Sequence, residues 1–432
     1  MQTAQARLAP TFNQLGATDI VSGIRRGDFS AHEVMQICLA RIRQRESTLH
    51  AFACLDPEAA LRRARLADAW QAEGLPLGPL HGVPIGIKDV FDTADMPSEY
   101  GSPLYRGRRP ANDAAAVSLL RKAGAVVVGK TTTSEFGMYH QSPARNPHDP
   151  ARSAGVSSSG SAVAVADHML PVAIGTQHTA STLLPASFCG AIGFKPSFGL
   201  VDMTGSNILV PRLAHVGVLA RNVFDVKLLL DVFSDAHASP LAGRPPVRLG
   251  VVRGPHWSLV EGGVAVVFES WIADLDHCAV DVELPDGFAE STDTVMTLLD
   301  AHLAFRFKDI DASALAALCP PLRSCIARGQ ELSAASLLSA YAQADALRQR
   351  ADELFANVDM LVTLTAPTEA TRLEDGPGSG LLTMPWSLCG LPTTSLPLLS
   401  GPAGLPVGVQ MIAPAGQDRR LLEAATTLFD GI

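Results

Sequence analysis

Apolar residues recur at helical spacing through "FSAHEVMQICLARIRQRE", where Val34, Ile37, Cys38 and Ile42 share one face. Ser30 and Glu33 stand at capping-box spacing and predict where that helix begins. A second helix is predicted over "DPEAALRRARLADAWQAEG", opening at Asp56-Pro57 and stopping near Gly74. The texture then changes. "LHGVPIGIKDVFDT" (Leu80–Thr93) is an apolar, strand-like run carrying a lysine, Lys88, within it. "DAAAVSLLRKAGAVVVGKTTTSEF" predicts a helix, a turn at Gly124 and a buried strand over Ala125–Val128.

Next comes "ARSAGVSSSGSAVAVADHMLPVAIGTQHTAS" (Ala151–Ser181), in which a triple serine leads into a run of little but Ala and Val. A linker would lack the apolar run, and a core helix has no need of the serines. "FCGAIGFKPSFGLV" follows as Gly-punctuated loops and short strands. From about Val223 to Phe355 the pattern is mainly helical, with one clear strand over Val247–Val252. "DMLVTLTAPT", "LPTTSLPLL" and "LPVGVQMIA" return to strand texture before a closing helix from Gln417. Strands interleaved with helices predict an α/β protein, with one mixed sheet flanked by helices on both faces. No repeat and no clean boundary breaks the pattern, so residues 1–432 are read as a single large domain.

Composition narrows the choice of class. With 47% hydrophobic and 18% charged residues, the 432-residue chain has ample material for a core. A net charge of −9 leaves no basic surplus to neutralise phosphates, so nucleic acid is not expected as a partner. "MQTAQARLAPTFNQLG" has no apolar targeting core, and no run of about 18 uncharged apolar residues occurs anywhere. We therefore expect a soluble, cytoplasmic protein with no membrane span. The seven cysteines form no CxxC pair and read as free thiols in a reducing compartment.

The common hydrolase signatures are missing. Gly155-Val156-Ser157-Ser158-Ser159 lacks the second glycine of a G-x-S-x-G elbow, and no HExxH, P-loop or G-x-G-x-x-G after a strand occurs. The twelve histidines are scattered without ligand spacing, so neither a metal nor a Ser-His-Asp triad is signalled, and no cofactor is expected. What remains is a lysine and two serines. Apolar neighbours in "PIGIKDVF" would disfavour the charged form of Lys88 and fit it to act as a general base. Ser181 follows the strand-like "LPVAIG" in a turn able to aim several N–H groups at one point. Ser157 would relay a proton between them, since a hydroxyl donates and accepts at once.

These segments resemble the amidase signature family of serine hydrolases. "AGVSSSGSAVAVA" matches its Gly- and Ser-rich signature, "LPVAIGTQHTASTLLPASFCGAIGFKPSFG" its nucleophile segment and "GVPIGIKD" its lysine strand. "KTTTSEFGM", "DMLVTLTAPT" and "LPVGVQMIA" also have counterparts, and the likeness is strongest over about residues 80–201. By position, the resemblance implies Lys88 as the family's lysine, Ser157 as its bridging serine held in a cis peptide, and Ser181 as its nucleophile. It further implies oxyanion donors in the backbone of His178, Thr179, Ala180 and Ser181, and supporting hydrogen bonds from Ser158 and Thr176. Glu135, Phe136, Gly137 and Met138 would border the substrate pocket. The family fold is one α/β/α domain needing no metal or cofactor, and many members are dimers.

The departures lie near the nucleophile. The family's Asp and two glycines are here Gln177, Thr179 and Ala180, and an arginine two residues past the nucleophile is Leu183. Losing Asp and Arg together leaves no orphan charge. The added bulk should reshape the pocket, and threonine tolerates fewer backbone angles than glycine. The expected activity is cleavage of an amide, anilide, ureide or carbamate in a small, uncharged or aromatic substrate. Two other readings stay open: one component of a glutamine-dependent tRNA amidotransferase, or a non-catalytic binding protein that keeps the fold. Composition alone would read Ser157–Ser159 as a helix cap or loop, Lys88 as a strand-end lysine reaching water, and His178 as structural.

Overall fold

Residues 13–234, 247–275 and 278–430 are described by the computed structural model of the chain; the N-terminal segment 1–12, read above for targeting, lies outside them. The predicted capping box is present. Ser30 Oγ accepts from the Glu33 N–H at 3.1 Å, the Glu33 carboxylate accepts from the Ser30 N–H at 2.8 Å, and the helix Ala31–Leu49 starts there. Asp56 likewise caps the helix Pro57–Ala72 by accepting from the Ala59 N–H at 2.9 Å.

Eleven strands form one sheet among the described residues. In chain order they are β1 (Phe52–Leu55), β2 (Pro84–Lys88), β3 (Val126–Thr131), β4 (Val172–Gln177), β5 (Ile192–Lys195) and β6 (His215–Ala220). They continue with β7 (Leu249–Val251), β8 (Ala279–Asp281), β9 (Met360–Leu364), β10 (Thr393–Ser400) and β11 (Pro406–Ile412). Their order across the sheet is β1-β3-β2-β4-β6-β5-β10-β11-β9-β7-β8. The sheet is mixed: β2 lies parallel between β3 and β4, whereas β4, β6, β5, β10, β11 and β9 follow one another antiparallel. Every residue of β2 to β6 and of β9 is buried, on both alternations of the pleat, so both faces of the sheet are covered. This is the single mixed α/β domain expected from the interleaved pattern.

Several boundaries differ from the pattern-based ones for local reasons. The apolar run Leu80–Thr93 is strand only to Lys88, because the N–H groups of Val90 and Phe91 turn back onto the Lys88 carbonyl at 2.7 and 3.1 Å. The strand after Gly124 runs on to Thr131 because its parallel pairing with β2 continues to Lys88↔Thr131. The segment 223–355 carries a second short strand, β8, paired parallel to β7. The closing helix spans Asp418–Asp430.

The Ala- and Val-rich run forms the helix Ser159–Ala166, which packs on β2, β3, β4 and β6. Its small residues have a steric cause. A Cβ at Gly160 would lie 2.4 Å from both the Ala51 carbonyl oxygen and the Thr132 nitrogen. Ser161 pins the same helix to the sheet, donating to the Ile174 carbonyl at 3.0 Å and meeting Thr131 Oγ1 at 2.6 Å.

Candidate active site

Lys88 ends β2 with its side chain fully buried. Its amine donates to Ser157 Oγ and, at 2.8 Å, to Thr176 Oγ1 on β4. Burial pushes this lysine well below its usual value, and no charged neighbour offsets the effect. Two further strand lysines are equally buried but differently partnered. Lys130 on β3 forms an ion pair with Asp89 at 3.0 Å, and Lys195 on β5 donates to the main-chain carbonyls of Leu391 and Pro196. Lys130 also donates to Ser98 Oγ at 2.6 Å, so of the three Lys88 is the one whose partners are hydroxyls only.

Ser157 lies at the entry to the Ala/Val helix with φ 73, after Gly155 with φ 83. No peptide bond among the described residues is cis, so the cis linkage implied by the resemblance is corrected here. The chain turns instead through two left-handed residues. Ser158 fastens this turn to the sheet: its hydroxyl donates to the Thr176 carbonyl and accepts from the Thr176 N–H, both at 3.2 Å. The Ser158 N–H donates to the Ser181 carbonyl at 3.1 Å, which joins the two serine-bearing turns directly. The Ser181 hydroxyl itself meets no protein partner among the described residues. Its link to Ser157 runs through this main-chain bond.

The altered turn before Ser181 is held by a residue that sequence reasoning treated only as a departure. Gln177 is buried, and its Oε1 accepts from the N–H groups of Thr182 and Leu183 at 3.0 and 3.1 Å. Its Nε2 donates to Ser387 Oγ at 3.0 Å, and that hydroxyl donates to the Thr179 carbonyl at 2.6 Å. A neutral amide thus braces both ends of the turn, while Leu183 is fully buried and carries no charge that needs a partner. Ser387 lies 210 residues away, so no local sequence signal marks it. The N–H groups of Thr179, Ala180 and Ser181 donate to no acceptor among the described residues.

His178 is half-buried, and its Nε2 accepts from the Leu209 N–H at 3.3 Å, which puts its proton on Nδ1. Burial, then the nearby Lys88 and His302, pushes its imidazole down to about 3, so it stays neutral. The four residues 135–138 are placed unequally. The Glu135 carboxylate is occupied by Ser102 Oγ and the Cys319 N–H, both at 2.7 Å. The Phe136 ring packs edge-on against Tyr105 and Phe307, and Met138 is buried. Gly137 lies beside the lysine–serine pair: a Cβ there would be 3.1 Å from Ser157 Oγ and 3.9 Å from Lys88 Nζ. Among the described residues, no three His, Cys, Asp or Glu side chains gather as a metal site, and no helix is long and apolar enough to cross a membrane.

Comparison with known proteins defines first a class and then a family. A crystal structure described as that of an amidase superposes with a TM-score of 0.90 at 29% identity, covering 97% of this chain and 100% of that one. The native peptide amidase from Stenotrophomonas maltophilia superposes with a TM-score of 0.82 at 26% identity, covering 96% of each chain. The class is that of enzymes hydrolysing carbon–nitrogen bonds. The Amidase family model matches residues 33–422, and the chain belongs to that family. It is also 32% identical over 463 aligned residues, 95% of each chain, to one subunit of the glutamyl-tRNA(Gln) amidotransferase of Chloroflexus aurantiacus.

Proposed function

We propose that the protein is a serine amidohydrolase acting through an acyl-enzyme on Ser181. The observation that carries this reading is the Lys88 amine, buried without a carboxylate and hydrogen-bonded to Ser157, one residue from the main-chain bond to Ser181. Ser181 Oγ attacks the substrate carbonyl, its proton passes to Ser157 Oγ, and the Ser157 proton passes to neutral Lys88. The carbonyl oxygen takes up negative charge facing the N–H groups of residues 178–181, three of which have no protein acceptor. The tetrahedral adduct then breaks its C–N bond, and the leaving nitrogen receives the proton back along the same path. Water, deprotonated by the same relay, releases the acid. Ser158 and Thr176 hold the relay by the bonds described above.

The substrate is a small, uncharged or aromatic amide, anilide, ureide or carbamate. The support is the apolar character of the nucleophile segment, where Ala180 and Leu183 stand in place of the family's glycine and arginine. Faster turnover of charged dicarboxylic amides than of neutral ones would overturn this preference. Seven free cysteines support a reducing, cytoplasmic setting.

The likeness to a component of a glutamyl-tRNA(Gln) amidotransferase favours a second reading, a subunit of a glutamine-dependent tRNA amidotransferase. The net charge of −9 weighs against it. Intact-protein mass after incubation with a small sulfonyl fluoride tests the first reading. One adduct is expected on the wild type at neutral and alkaline pH, and none on Ser181→Ala or Lys88→Ala. No adduct on the wild type at any pH sinks the proposal and brings forward a binding protein that keeps the fold.

A further inference from the structure

The strap Gly376–Gly380, "GPGSG", lies across the nucleophile turn without regular secondary structure. Gly380 is buried, and a Cβ there would sit 2.4 Å from the Ala180 Cβ, so the strap rests on the residue next to Ser181. A Cβ at Gly378 would sit 2.5 Å from the Phe188 ring, in the helix that follows the nucleophile. The strap is anchored on one side by Thr371 Oγ1, which donates to the Gly376 carbonyl at 2.7 Å. Ser153 Oγ donates to the Pro377 carbonyl at 3.2 Å.

A further tie comes from the segment that follows Gly137. The Tyr139 hydroxyl donates to the Gly378 carbonyl, across 239 positions of sequence, while the tyrosine itself remains 51% exposed. Tyr139 is two residues beyond Gly137, which adjoins Lys88 and Ser157, and Gly378 is two residues before Gly380, which adjoins Ala180. Two residues of chain span at most about 7 Å. The phenol–carbonyl bond therefore crosses at the surface between the wall that holds the lysine–serine pair and the strap lying on the Ser181 turn.

We propose that Tyr139 is a specificity-determining clasp. By tying the strap Gly376–Gly380 to the segment that follows Gly137, it limits how long or bulky a group on the scissile carbonyl can be, which selects short-chain amides. This rests on the reading of Ser181 as the nucleophile. Tyr139→Phe keeps the ring and removes only the hydrogen bond.

The test compares labelling rates with methanesulfonyl fluoride and dodecanesulfonyl fluoride, alongside hydrogen exchange of the strap amides, in wild type and Y139F. The expected result is an exchange rate over 376–383 at least fivefold faster in Y139F. The labelling ratio of the long probe to the short one should rise at least tenfold. A ratio within twofold of wild type overturns the clasp, whether or not the strap loosens. If the wild type takes neither probe, the nucleophile reading has failed separately. The tie is then judged by exchange alone, and unchanged exchange overturns it.

Discussion

At the scale of single residues, burial and the choice of hydrogen-bond partner separate Lys88 from the chain's other interior lysines. Lys130 keeps a carboxylate and Lys195 keeps two carbonyls, whereas Lys88 has only hydroxyls. Its value is depressed by burial, so over the window from that depressed value up to about 10.4 the unfolded chain binds a proton that the folded one lacks. The contribution of Lys88 to stability is therefore fully present above the unfolded value and is lost as pH falls through the folded one. Methionine at this position has no such proton. The stability of Lys88→Met relative to wild type, from urea unfolding, should be more favourable at pH 7 than at pH 10 by at least about 1 kcal/mol. An equal difference at both pH values would show that Lys88 is buried with its charge. His178, already neutral, contributes no ionisation near pH 7.

At the scale of elements, the site is a junction of two strand ends and two helix entries. β2 delivers Lys88, β4 delivers Thr176, and the turns before the helices Ser159–Ala166 and Leu183–Cys189 deliver the two serines. Gln177 acts on this junction as a brace and not as chemistry. Replacing it with leucine would leave two buried N–H groups without acceptors and Ser387 without a donor. Such a loss costs about 1–3 kcal/mol per unsatisfied group. Urea unfolding of Gln177→Leu should show a total loss of roughly 2–6 kcal/mol, and Ser181 should label more slowly because its turn has lost its support. A variant of unchanged stability would mean that the turn holds itself.

At the scale of the whole molecule, charge decides what the surface meets. With 43 acidic against 34 basic side chains, contact with tRNA should be weak. Any binding seen by fluorescence anisotropy at about 50 mM salt should vanish by about 200 mM; tight binding that survives would favour the amidotransferase reading. The chain's own pattern was enough to predict the α/β class, the capped helices at Ser30 and Asp56, and Lys88, Ser157 and Ser181 as candidates. Those features rest on periodicity, capping and ordered motifs, all of them local in sequence. Even so, boundaries moved where long-range pairing took over, as when β3 followed β2 out to Thr131. Only the tertiary structure showed that Lys88 and Ser157 share a hydrogen bond, that the Ser181 turn is braced through Ser387, and that Tyr139 reaches the strap. Each of those contacts joins residues 69 or more positions apart, apart from the bonds within the turn itself. They depend on strand order and on which faces of the sheet are covered, and no window of sequence contains either.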